Sequence, residues 1–105
     1  MFDFLKKMMG GGESVDLRQL HQDGALILDV RTPGEFAGGH IKGAVNIPVD
    51  QLSGNLSKLK NKDQVIITCC ASGMRSASAR GILTQAGYTK VYNGGGWSGL
   101  LNKIS

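Results

Sequence analysis

The sequence predicts an α/β domain in three α/β/α layers, built on a mostly parallel sheet of about five strands with helices on both faces. Three observations carry that expectation. Short apolar runs rich in β-branched residues alternate along the chain with segments of helical character. The runs are nearly continuous rather than alternating, as in strands covered on both faces. Glycine, at 16 of 105 residues, clusters between these segments, where tight turns and close backbone approaches are needed.

Val15, Leu17 and Leu20 supply the apolar residues of a first short helix; Asp16 can cap it from Leu17 onward, and Asp23-Gly24 ends it. Ala25-Leu26-Ile27-Leu28-Asp29-Val30 reads as a buried strand. Pro33-Gly34 opens a turn, and Glu35-Phe36-Ala37 gives about one helical turn. Ala44-Val45-Asn46-Ile47 is a second strand, closed by Pro48; residues 50–52 and 56–59 look helical, broken at Gly54. Gln64-Val65-Ile66-Ile67-Thr68-Cys69 is the strongest strand. Residues 76–86 form a helix of small side chains, suited to close packing on a sheet, with Gly87 as its stop. Lys90-Val91-Tyr92 is the last strand, Gly94-Gly95-Gly96 a tight turn, and residues 97–102 a terminal helix anchored by Trp97.

Residues 1–12 end in Gly10-Gly11-Gly12 and read as a flexible N-terminal arm, leaving residues 13–105 as one domain. No apolar run approaches the roughly 18 residues of a membrane span, and the first residues are wrongly ordered for a secretory signal. A cytoplasmic location is the expectation. The net charge of +4 is scattered, and Lys58, Lys60 and Lys62 read as solubilising a loop. Without a basic stripe interleaved with aromatics, nucleic acid is excluded as a partner; a mild positive field favours a small anionic substrate.

The two cysteines, Cys69 and Cys70, are adjacent. Neighbouring Cα atoms lie about 3.8 Å apart, whereas a disulfide wants roughly 4.4–6.8 Å. A bridge between them is not expected. On a strand they point to opposite faces, so one at most serves the following loop. His21 and His40 have no Cys-x-x-Cys partner, and no metal is expected.

The chemistry concentrates in Cys70-Ala71-Ser72-Gly73-Met74-Arg75-Ser76, directly after the strongest strand. Ligands of parallel sheets sit outside the carboxyl ends of the strands. Gly73 allows the backbone positive φ inside a tight curl. Loop N–H groups and the helix N-terminus would lower the pKa of the Cys70 thiol. Arg75 can close over a bound anion with a bidentate fork, and Ser72 and Ser76 add hydroxyl donors. The plain alternative is a buried, inert cysteine at a strand end; strand, spacing, glycine and helix together favour a nucleophile at Cys70, and the inert reading fits Cys69.

The chain resembles the rhodanese-like sulfurtransferases from about Ser14 to Leu100. Ile27-Leu28-Asp29-Val30-Arg31-Thr32-Pro33-Gly34-Glu35-Phe36 is similar to the family's first signature, and Gly39-His40-Ile41-Lys42-Gly43-Ala44 to its second. Residues 70–76 resemble its active-site loop, and residues 87–95 its closing segment. The resemblance implies that the Cys70 thiolate takes a sulfane sulfur from a small anionic donor such as thiosulfate. A persulfide forms and passes its outer sulfur to cyanide, a thiol or a sulfur-accepting protein, with no cofactor. It implies Ala71, Ser72, Gly73, Met74 and Arg75 as the cradle, with Arg31 a second substrate-binding cation unless it pairs with Asp29 or Glu35. Asp29 would accept loop N–H bonds, and His40 would brace a loop. Met74 and Cys69 depart from the usual pattern. The rivals are a persulfide carrier, a non-catalytic binding module, and a cysteine phosphatase or arsenate reductase. The last two use a Cys-x-x-x-x-x-Arg loop one residue longer, sized for a tetrahedral oxyanion.

Overall fold

The computed structural model describes residues 15–105. The arm expected at residues 1–12, and the boundary at residue 13, lie outside the described residues. In chain order the elements are α1 (Leu17–Gln22), β1 (Leu26–Asp29), α2 (Pro33–Ala37), β2 (Val45–Asn46) and a 3-10 segment (Val49–Lys58). Then come β3 (Ile66–Cys70), α3 (Met74–Gln85), β4 (Val91–Gly96) and α4 (Trp97–Ile104).

Local chemistry sets the short helices. The Asp16 carboxylate accepts the Gln19 N–H at 3.1 Å and caps α1. Thr32 and Glu35 form a reciprocal capping box at the start of α2, with Pro33 in its first turn. The 3-10 segment kinks at Asn55 (φ −127°, ψ 22°), one residue beyond the glycine expected to break it.

The sheet order is β2-β1-β3-β4, and every pairing is parallel. Four strands pair among the described residues where about five were expected, because only four apolar runs exist to supply them. Strand periodicity then sorts the core. Leu28, Val30, Ile66 and Cys70 face Leu52, Leu59, Ala79 and Leu83 on one side, under α3 and the 3-10 segment. Ile27, Ile67 and Cys69 face the other, where Leu100 and the partly buried Leu17, Leu20 and Trp97 of α1 and α4 pack. Each fully buried Leu or Ile contributes roughly 1.5–3 kcal/mol. These are the three expected layers.

Residues 94–96, expected as a tight turn, are instead the end of β4. Glycine is selected there by proximity. A Cβ on Gly94 would lie 2.7 Å from the Thr68 carbonyl oxygen and 2.9 Å from both Ile67 Cγ2 and Leu100 Cδ2. The register also shifts between Thr68 and Cys70, so that Cys70 pairs with Gly96.

The strand order places a topological switch point between β1 and β3, since the chain leaves β1 toward one edge and β3 toward the other. Loops at such a point diverge and leave a crevice beyond the carboxyl ends of the strands. The segments leading into α2 and α3 flank it.

Candidate active site

Cys70 is the last residue of β3. Gly73 then turns the backbone into the left-handed region (φ 107°, ψ −15°), and α3 starts at Met74, two residues earlier than the sequence suggested. The early start puts the first-turn N–H groups beside the sulfur. Gly73 N–H donates to Cys70 Sγ at 2.9 Å and Ser76 N–H at 3.3 Å. A helix leaves its first N–H groups without internal partners, and here a sulfur takes them, at the positive end of the helix dipole. The Thr68 hydroxyl donates to the Ser76 carbonyl at 2.9 Å and ties the start of α3 to β3.

Burial pushes the Cys70 thiol up. The Ser76 hydroxyl and the N–H groups of Ser76, Gly73 and Ser72 pull it down more strongly, and it ends below its ordinary value. The hydroxyl also reaches Gly73 O at 2.9 Å and Asn93 Oδ1 at 2.6 Å, so its one proton has competing acceptors. Alkylation of Cys70 in a Cys69→Ala protein should therefore show a pH midpoint below about 8.5, the value of a free thiol; a midpoint at or above it contradicts the geometry. Cys70 has no exposed surface, whereas Ala71 and Ser72 are exposed above it. A reagent therefore reaches the sulfur only when residues around it yield.

Cys69 points into the opposite core layer. Burial first, then the charge of Asp29, pushes its thiol up to about 12. Strand alternation thus separates the two neighbouring thiols into one drawn toward ionisation and one pushed away from it.

Among the other expected cradle residues, Met74 is 80% exposed at the start of α3. Arg75 does not stand free. Its Nη1 donates to Glu35 Oε1 at 2.7 Å and its Nη2 to Oε2 at 3.1 Å, across the crevice from α3 to α2. This bond first, then those from Thr32, hold the Glu35 carboxyl down at about 2. The sequence offered one sign of this, the Thr32-x-x-Glu35 capping box. Nothing in it joined Glu35 to an arginine 40 residues on.

Arg31 is buried and committed. Its Nε reaches both Asp29 oxygens at 3.0 and 3.1 Å, and Nη2 reaches Oδ2 at 2.7 Å. Its other contacts are the carbonyls of Glu35 (3.3 Å) and Gly39 (2.7 Å), and its guanidinium carbon lies 4.7 Å from the centre of the Trp97 ring. The pairing with Asp29 is the alternative the sequence had left open for Arg31 beside substrate binding. Asp29 also accepts the Arg31 N–H at 3.0 Å, the loop-organising role expected of it. His40 donates from Nδ1 to Phe36 O at 2.7 Å and stacks on the Phe36 ring, as a bracing residue. Asn46, not singled out in the sequence, donates to the Asp29 and Arg31 carbonyls, both at 2.9 Å, and locks the backbone after β1. Among the described residues, no three His, Cys, Asp or Glu side chains gather as metal ligands.

Residues 4–103 match the family described as Rhodanese-like domain. An uncharacterised protein of Bacillus subtilis, YqhL, is 41% identical over 69 residues, covering 66% of this chain and 54% of that protein. The chain thus spans only about half the length of that relative. The thiosulfate sulfurtransferase PspE of Escherichia coli is 34% identical over 70 residues, covering 66% of this chain and 67% of that one. Among solved structures, the human single-domain sulfurtransferase TSTD1 superimposes with a TM-score of 0.70 at 30% identity, over 85% of this chain and 92% of that one.

Proposed function

The chain belongs to the rhodanese-like domain family, and on that premise we propose that it is a sulfurtransferase with Cys70 as its nucleophile. The observation that carries this is the Cys70 sulfur at the end of β3, receiving the N–H groups of Gly73 and Ser76. The thiolate attacks the sulfane sulfur of a donor such as thiosulfate; a new S–S bond forms, and sulfite leaves with the electron pair of the old one. Cyanide or a thiol then attacks the outer sulfur and returns the electron pair to Cys70. The loop N–H groups stabilise the anion at each stage. Neither step changes the overall redox balance, so no cofactor is invoked.

The phosphatase and arsenate reductase reading is disfavoured twice. The loop has four residues between Cys70 and Arg75, and Glu35 holds the guanidinium that a tetrahedral oxyanion would need. The exposed Met74 beside the loop favours a second reading alongside small acceptors, a sulfur-accepting protein that docks there. We keep the cytoplasm as the proposed location, where a reducing pool preserves free thiols such as Cys69 and Cys70. Among the described residues, no helix is long and apolar enough to cross a membrane.

Intact mass spectrometry after thiosulfate treatment tests the proposal. The expected result is a gain of one sulfur atom, removed by cyanide. No mass gain with thiosulfate or with an organic persulfide would overturn it.

A further inference from the structure

We propose that Glu35 is a specificity-determining residue of this site: by filling both prongs of the Arg75 fork, it weakens the preference for anionic over neutral sulfane-sulfur donors. The inference rests on the reading of Cys70 as the nucleophile. Seen from the sequence alone, Arg75 is a free cation beside the sulfur. In the fold its two terminal nitrogens meet the two Glu35 oxygens at 2.7 and 3.1 Å, a bidentate end-on pairing that engages both of them.

The carboxylate is also held from its other side. Glu35 Oε1 accepts the Thr32 N–H at 3.0 Å and the Thr32 hydroxyl at 3.1 Å, so α2 presents it already oriented. An anionic donor that sought Arg75 would have to displace a preorganised competitor. Glu35 stays ionised down to about 2, which leaves the pair neutral at any physiological pH. The other arginine following β1, Arg31, is neutralised by Asp29. Both arginine charges that flank the switch point are therefore cancelled. What remains to attract a donor is the set of N–H groups that already serve the sulfur. A thiosulfate dianion gains no net cation there, and a persulfide of an uncharged thiol loses nothing.

The test compares Cys70 alkylation by iodoacetate and by iodoacetamide, read by mass at that residue. The two reagents share a reacting carbon and differ in charge. Any movement of the surrounding residues needed to admit them is common to both and cancels in the ratio of rates. Glu35→Gln keeps an oxygen for the capping box and frees the guanidinium. It should raise the iodoacetate-to-iodoacetamide ratio about two- to fivefold at low salt, the range of a half-exposed ion pair, and the gain should shrink as salt rises. Arg75→Gln should lower the ratio below that of the unaltered chain, and the double variant should restore it. Glu35→Ala, which lacks the cap as well, must move the ratio in the same direction as Glu35→Gln.

An unchanged ratio in Glu35→Gln, or equal changes with both reagents, overturns the inference. Parallel assays with thiosulfate and a neutral organic persulfide separate it from the functional reading. Glu35→Gln should lower KM for thiosulfate and leave the neutral donor unchanged. If no donor passes sulfur while the alkylation ratio moves as stated, the sulfurtransferase reading fails and what stands is the control by Glu35 of charge preference at Cys70.

Discussion

Cys70→Ser should reduce sulfur transfer from thiosulfate to cyanide to background, a loss of roughly 10³-fold or more, as is usual when a covalent nucleophile is removed. Serine keeps the size and a hydrogen-bond acceptor for the Gly73 and Ser76 N–H groups, so the loop should persist. What is lost is ionisation: a serine hydroxyl stays protonated where the thiol is drawn below its ordinary value by those donors. Thiocyanate production measures the rate, and thermal denaturation reports whether the fold survives. The matched control is Cys69→Ala, whose side chain lies in the other core layer and which should retain most of the activity. Activity surviving in Cys70→Ser, or lost in Cys69→Ala, would reverse the assignment of the two thiols.

Asp29→Ala should destabilise the fold by about 3–5 kcal/mol, the cost of leaving a buried charge without its partner. Asp29 is fully buried and Arg31 is 4% exposed. Their pairing at 2.7 Å, with the Nε and backbone N–H bonds, joins the end of β1 to the segment that follows it. Removing the carboxylate strands a guanidinium among Trp97 and two carbonyls. Against a usual total of about 5–15 kcal/mol, such a loss should lower Tm by more than about 10 °C. Adding Arg31→Met should recover part of it, since deleting both charges of a buried pair is often close to neutral. A loss below about 1 kcal/mol in urea denaturation, or a double variant no better than the single one, would show that the pair does not hold this corner together.

The strands and layers were legible because their residues are buried on both faces: Ile66 and Ile67 face opposite layers and both are fully buried. The same alternation announced the opposite orientations of Cys69 and Cys70. The capping residue Asp16 announced α1, and Pro33-Gly34 announced the turn into α2. Residues 94–96 were not legible as strand, because what suits them is the absence of a side chain against Thr68, Ile67 and Leu100. The partner of Arg75 was hidden for a different reason. A salt bridge between residues 40 positions apart depends on two loops meeting at a switch point, and sequence order carries no direct trace of that. Arg31 was read as either paired or substrate-binding, and its pairing with a fully buried Asp29 became visible only in the fold.

The neighbouring thiols on opposite sides of the sheet have a bearing on oxidative damage. The chain has two cysteines, and the one beside Cys70 is turned away beneath another layer of side chains. A sulfenic acid formed at Cys70 would therefore find no second thiol within the fold to condense with. Its repair would fall to thiols in the surrounding solution, and where these run short the sulfur would proceed toward the irreversible acids.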